Sequence, residues 1–139
     1  MSFEMRISLT NGPISSVTFF KLRQRCNPDL VFTYYRNDLH QDHRVISDLT
    51  WNTFREHLIL EYEIVKYDGD LGNPNSFVAV SRSHRDLKID IILNSFISQT
   101  SKPWFTRDAF EALMRIRGIE ASAPDGVAEA YHCRKARLL

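Results

Sequence analysis

Cysteine, long apolar runs and net charge are all scarce in this sequence of 139 residues. The two cysteines, Cys26 and Cys133, have neither metal-ligand spacing nor a disulfide framework around them, which predicts free thiols in a reducing cytoplasm. No apolar run approaches the length that spans a membrane, and residues 1–6 lack the uninterrupted apolar segment of a secretory signal. A formal net charge of +1 gives no field that attracts nucleic acid or an anionic membrane. We therefore expect a cytoplasmic protein with neither partner.

The pattern of apolar residues predicts a single α/β domain, because helical and strand-like segments alternate without a linker between them. Residues 30–35 are apolar almost throughout, which is typical of a buried parallel strand. Residues 5–9 alternate weakly and are either a short edge strand or a frayed tail. Further strands are predicted at 61–67, 76–80 and 128–134. Helices are predicted at 14–26, 42–58 and 84–97, and from Thr106 to a stop at Gly118.

The chemistry-bearing residues of the sequence concentrate between Asp38 and Arg44, directly after the apolar run. Open α/β sheets bind ligands at the carboxyl ends of their strands, so this is where a site is expected. His40 and His43 are three residues apart, and one helical turn points both in the same direction. Imidazole is a common zinc ligand, and Asp42 can orient a histidine or position a water molecule. Two solvated histidines and an aspartate that begins a helix are the alternative interpretation.

A wider set of motifs resembles the PIG-L/LmbE family of zinc-dependent N-acetylglucosaminyl deacetylases. Residues 28–33 followed by 38–44 closely resemble the second conserved motif of that family. The likeness continues, in the family's order, through residues 50–55, 66–72, 74–75, 98–99, 102, 104–105, 115–120 and 128–131. It covers about residues 14–135. The resemblance implies one LmbE-like domain over residues 1–139, folded as a partial Rossmann-like three-layer sandwich with a mostly parallel sheet.

The resemblance also implies roles for individual residues. In the family, zinc binds a water molecule and polarises the acetamide carbonyl of the substrate. His43 matches the metal-ligand histidine, and His40 matches the histidine that stabilises the tetrahedral oxyanion. Asp42 matches the acidic residue between them, to which we assign the orientation of a histidine. Glu129 resembles a late acidic residue near the mouth of the active site, which makes it the candidate substrate-binding residue. The implied cofactor is zinc, and the implied partner is a small-molecule amino-sugar conjugate.

The family's first motif, of the form His-Pro-Asp-Asp-Glu, has no counterpart in this sequence. That motif supplies two zinc ligands and the general base, and the nearest stretch, Asn27-Pro28-Asp29, lacks the histidine. The sequence therefore resembles an N-terminally truncated family member. We expect a deacetylase for N-acetylglucosamine-containing or related substrates, impaired because half of the zinc site is absent. The alternative is a catalytically inactive relative that binds a sugar or a protein. A homo-oligomer or a missing N-terminal segment is expected as a further partner.

Overall fold

A computed structural model describes residues 15–136, so the predicted alternation at residues 5–9 lies outside the described part of the chain. The described residues form an α/β fold, as the sequence predicts. In chain order its elements are α1 (Ser16–Arg25), β1 (Leu30–Tyr34), α2 (Gln41–Phe54), β2 (Leu58–Tyr62), β3 (Ser76–Ala79), α3 (Arg82–Ser95), a short 3₁₀ turn (Ile97–Gln99), α4 (Arg107–Glu120) and β4 (Ala128–His132).

The four strands form a mixed sheet in the order β1-β2-β4-β3, and the expectation of a mostly parallel sheet is wrong. β1 and β2 are parallel over their whole length, from Leu30 beside Leu58 to Tyr34 beside Tyr62. β4 lies between β2 and β3 and runs antiparallel to both. Two of the three neighbouring pairs are therefore antiparallel, although β1, β2 and β3 all run in one direction.

The connections explain this mixture of directions. One helix, α2, separates β1 from β2. A single crossover helix carries the chain back to the end of the sheet where β1 began, so the next strand runs parallel to β1. Two helices, α3 and α4, separate β3 from β4, and together they return the chain to the end of the sheet where β3 finished, so β4 runs antiparallel to β3. The apolar run at 30–35 predicted a buried strand, but Thr33 alone in β1 is buried, and such a run does not specify how strands pair. The sequence pattern could therefore predict the strands without predicting how they pair.

Helix α2 is fixed to the sheet by its buried face, which carries Ser47, Thr50 and Phe54 at helical spacing. The Thr50 hydroxyl lies 3.0 Å from that of Thr33 on β1, and it also donates to the carbonyl of Ile46. These buried hydroxyl groups consequently keep hydrogen-bond partners, without which their burial would cost free energy. Helix α1 packs on the outside of α2, and α4 packs on β4.

Several element boundaries differ from the predictions. Helix α2 ends at Phe54, so the second strand begins at Leu58 and ends at Tyr62, earlier than the alternation at 61–67 suggested. Helix α3 begins at Arg82, because Ser81 accepts a hydrogen bond from the His84 N–H as the N-cap. Gly118 does not stop α4, which continues to Glu120. None of the helices between residues 15 and 136 combines the length and apolar character that crossing a bilayer requires.

Candidate functional site

The two histidines lie at the carboxyl end of β1, at the start of α2. His40 is the N-cap residue, with an extended backbone, and its ring accepts a hydrogen bond from the Asp42 N–H at 3.3 Å. Asp42 and His43 occupy the first turn of the helix, where a carboxylate also complements the helix dipole. The strand, the polar turn and the helix thus occur in the predicted order, and His40, Asp42 and His43 lie together where a ligand site was expected.

Asp38 is the buried anchor of this turn. One carboxylate oxygen, Oδ2, lies 2.9 Å from Nδ1 of His43, and the other, Oδ1, accepts the His40 N–H at 2.8 Å. Arg44 donates to the carbonyl oxygens of Asp38 and Leu39, at 3.0 and 2.6 Å. The turn between β1 and α2 is therefore held by hydrogen bonds from the start of the helix.

An aromatic stack supports the histidine rings. The ring of His43 lies parallel to that of Tyr34, with centroids 4.0 Å apart and planes 8° apart. On its other side it stacks on His40, with centroids 4.5 Å apart. Tyr34 also contacts Tyr62, whose pKa is raised by burial and then by the neighbouring Tyr34. Packing from the tyrosine side consequently fixes the plane of the His43 ring.

The hydrogen-bond partners assign opposite tautomers to the neutral forms of the two imidazoles. A backbone N–H can only donate, so Nδ1 of His40 accepts from Asp42 and the ring proton lies on Nε2. A carboxylate can only accept, so Nδ1 of His43 carries the proton toward Asp38 and Nε2 keeps its lone pair. The stacked rings thus present one N–H donor and one lone pair side by side.

The residue that orients a histidine in this structure is Asp38, whereas the resemblance assigned that role to Asp42. Asp42 is exposed and meets His40 through its backbone N–H. Asp38 lies five residues before His43, where β1 has ended and the chain turns toward the helix. Sequence reasoning placed Asp38 in the polar cluster but gave it no role, because spacing alone does not show which carboxylate the turn directs inward.

Lys66 and Asp70, which follow β2, also belong to this cluster. The Lys66 ammonium lies 3.2 Å from Oδ2 of Asp38 and bonds to both carboxylate oxygens of Asp70. Asp70 in turn accepts the Leu39 N–H at 2.6 Å. Both residues fall within a stretch that carries the family resemblance, yet sequence reasoning gave neither a role. No local signal in the sequence marks them, because their place in the cluster depends on the parallel pairing of β2 with β1.

Glu129 lies on β4 in a different set of contacts. Its Oε2 accepts from the Tyr131 hydroxyl at 2.7 Å and from the Lys88 ammonium at 2.8 Å. Burial, and then the bond to Glu129, raise the pKa of Tyr131. Glu129 borders two cavities, an open groove of about 410 Å³ along α3 and a space of about 40 Å³ beside α4. The described contacts of Glu129 therefore do not join it to the histidine pair.

The zinc that the resemblance implies is only partly matched by the residues present. His43 has the pattern of a metal ligand, since its second nitrogen bonds to a carboxylate and leaves Nε2 available. A catalytic zinc site needs three protein ligands. Within residues 15–136, however, the structure brings together no group of three histidine, cysteine or carboxylate side chains that could hold a metal. The described residues alone do not fit a three-ligand zinc site.

Comparison with solved structures defines the class of fold. The chain is similar to the crystal structure of GalB, the 4-carboxy-2-hydroxymuconate hydratase from Pseudomonas putida KT2440, with a TM-score of 0.68 and 15% identity. The likeness covers 91% of this chain and 61% of the hydratase, so the chain spans about three fifths of that protein. No family model and no curated protein matches the chain. At this identity the likeness shows a shared α/β fold.

Proposed function

We propose that this chain carries the histidine half of an N-deacetylase site of the PIG-L/LmbE type, acting on N-acetylglucosamine-containing or related substrates. The observation that carries the proposal is the stacked pair of imidazoles with opposite tautomers. Amide hydrolysis needs a donor for the oxyanion that forms at the carbonyl and a basic or metal-binding group for the attacking water. His40 and His43 offer those two functions from one helical turn.

His40 is the donor of the pair. Its Nε2–H is free of the contact that occupies Nδ1, and its side chain is exposed at the helix start. When water adds to the amide carbon, the carbonyl oxygen gains negative charge and accepts this hydrogen bond. Loss of one such donor lowers kcat by roughly 10²–10³-fold in enzymes that use an oxyanion hole.

His43 is the fixed partner. Its ring is held on one edge by Asp38 and on one face by Tyr34, so that Nε2 keeps a single direction. The resemblance makes His43 a metal ligand, and the remaining ligands and the general base would come from a His-Pro-Asp-Asp segment supplied from outside the described residues. Without that segment, we expect the chain to bind zinc weakly and to release no amine.

The test is zinc titration by calorimetry together with amine release from an N-acetylglucosamine conjugate. Both are measured with the chain alone and with the N-terminal segment of a full-length relative added. Added segment is expected to produce tight zinc binding and turnover. His43→Ala then abolishes both, and His40→Ala reduces turnover about 100-fold while zinc binding persists. His84→Ala is the matched control, since that exposed histidine on α3 bonds to Ser81, the N-cap residue of the helix.

Three outcomes would contradict the proposal. Turnover of 4-carboxy-2-hydroxymuconate with no amide hydrolysis would assign the chain the reaction named for GalB. Binding of the amino-sugar conjugate without turnover, even with the added segment, would favour the alternative of an inactive relative that binds a sugar. If the chain with the added segment binds neither zinc nor sugar, the result would favour an inactive relative that binds a protein.

A further inference from the structure

A lysine with almost no exposure lies inside the candidate site. The side chain of Lys66 is 8% exposed, and three carboxylates surround its ammonium: Asp38 at 3.2 Å, Asp68 at 3.8 Å and Asp70 in direct contact. Burying an ammonium is costly unless it is paired and hydrogen-bonded, and Lys66 meets that condition on several sides. The contacts of this buried charge therefore indicate what Lys66 does for the site.

The first contact ties two segments of chain together. Asp70 bonds to Lys66 and also accepts the N–H of Leu39, which lies in the turn between β1 and α2. Burial opposes ionisation of Asp70, but the bonds from Lys66 and Leu39 outweigh burial and lower its pKa below the ordinary value. The segment after β2 thus holds the backbone of the turn from which His40 and His43 project.

The second contact reaches the histidine pair directly. Oδ2 of Asp38 lies 3.2 Å from the Lys66 ammonium and 2.9 Å from Nδ1 of His43, so one oxygen serves both. If Lys66 served only to connect the segment after β2 with the turn before α2, its bond to Asp70 would be sufficient, because Asp70 already binds the Leu39 N–H. Because Lys66 also bonds the oxygen that orients His43, the direction of that carboxylate depends on the lysine.

We infer that Lys66 is a positioning residue, which acts through Asp38 to hold His43 with its proton on Nδ1 and its Nε2 lone pair directed outward. Asp70 assists by fixing both the lysine and the Leu39 N–H. The inference rests on the proposed function only in that the oriented His43 would serve as a metal ligand. The tautomer itself is a property of the chain without any metal.

The experiment records the ring-nitrogen NMR spectrum of His43 in the metal-free chain at a pH where the imidazole is neutral. Wild-type protein is expected to show the Nδ1–H tautomer. Lys66→Met keeps the length of the side chain and removes its charge. In that variant we expect loss of the single Nδ1–H signature, with averaging between the two tautomers, and Lys66→Arg is expected to restore it. Lys88→Met is the matched control, because Lys88 pairs with Glu129 instead.

A second measurement connects the tautomer to ligand affinity. Where the proposed function holds, zinc titrated into the chain plus the added N-terminal segment should bind 10–100-fold more weakly to Lys66→Met, which is the usual effect of losing a group that orients a ligand. A wild-type chain that binds no zinc even with the added segment refutes the proposed function, and the metal-free spectrum still decides the role of Lys66.

The outcome that overturns the inference is a folded Lys66→Met chain in which His43 keeps the wild-type Nδ1–H spectrum. If Lys66→Met does not fold, Asp70→Asn decides in the same spectrum, since asparagine still offers an acceptor to Leu39 but no charge to Lys66. Unchanged His43 signals in Asp70→Asn then count against the inference, and averaged signals support it.

Discussion

At the scale of single residues, three buried carboxylates among residues 15–136 each have a basic partner. Asp38 has Lys66, Glu61 has Arg134, and Glu63 has Arg117. A buried pair contributes little over a well-packed apolar pair, but removal of one partner leaves an uncompensated charge in a medium of low polarity. We therefore expect a single substitution in one of these pairs to lower the free energy of unfolding strongly. The pair of Glu61 and Arg134 allows a test away from the candidate site.

Arg134→Met is expected to lower the free energy of unfolding by about 3 kcal/mol, because it strands the fully buried carboxylate of Glu61. Arg134 also donates to Ser47 and lies over the Trp51 ring, so the loss includes packing. Urea denaturation measures it. Arg23→Met, in an exposed pair, is the control and should cost below about 1 kcal/mol. Equal losses in the two variants would show that the Glu61 pair contributes no more than a surface pair.

Asp70 gives a prediction for the acid limb of stability. Its folded pKa is lower than the ordinary 3.8, so its carboxylate stabilises the fold fully above that pH and loses the effect as the pH falls toward the folded value. Asp70→Asn is expected to be less stable than wild type by about 2 kcal/mol at pH 7, the size of a charged hydrogen bond. The difference should shrink between pH 4 and pH 2. A difference that stays constant over that interval would contradict the prediction, and denaturation at each pH measures it.

At the scale of elements, the end of α4 shows where pattern reasoning failed for a physical reason. A glycine after basic residues is typical of a helix stop, yet Gly118 is buried within the last turn. A Cβ at this position would meet the Gly126 carbonyl oxygen at 2.2 Å and the Val127 nitrogen at 2.5 Å. Gly118 is required because the chain before β4 passes directly over the helix. Because the contacting segment lies beyond the end of the helix, the local periodicity of the sequence gives no sign of the contact.

Gly118→Ala is therefore expected to destabilise the protein, although alanine is favoured over glycine in a helix by about 1 kcal/mol. The new methyl group meets backbone atoms, which cannot rotate away as a side chain can, and overpacking of this kind costs about 1–3 kcal/mol. Thermal denaturation should show a lower Tm. Asn94→Ala, at an exposed position of α3, is the control and should leave the Tm nearly unchanged or raise it. A stabilised Gly118→Ala would indicate that α4 and β4 can separate at no cost.

At the scale of the whole molecule, the sequence predicted the α/β class and the position of the histidine turn, because both depend on local patterns. The apolar run at 30–35 and the polar residues that follow it were sufficient to predict where the histidine turn lies. The position of β4 between β2 and β3 depends on the two-helix connection, and the role of Lys66 depends on the parallel pairing of β1 with β2. Neither follows from a window of neighbouring residues. The long-range pairing therefore had to come from the structure.

The same pairing makes β1 the outer strand, with no neighbour on its far side among residues 15–136. Leu30, Phe32 and Leu58 lie on one face of the β1–β2 pair and are 37%, 53% and 40% exposed. An apolar edge strand without charges is a template for pairing with another chain. We expect the isolated chain to self-associate at micromolar concentration, with a mass above 16.2 kDa by light scattering after gel filtration.

Phe32→Glu is expected to shift this chain toward monomer, because a charge on an edge strand opposes strand-to-strand association. Phe20→Glu is the matched control, since Phe20 is 59% exposed and lies on α1, which packs on α2. Both variants add one negative charge at an exposed aromatic position, so only the location differs. Self-association reduced equally by both would assign the effect to net charge. A wild-type chain that is monodisperse and monomeric would show that the edge of β1 is already protected.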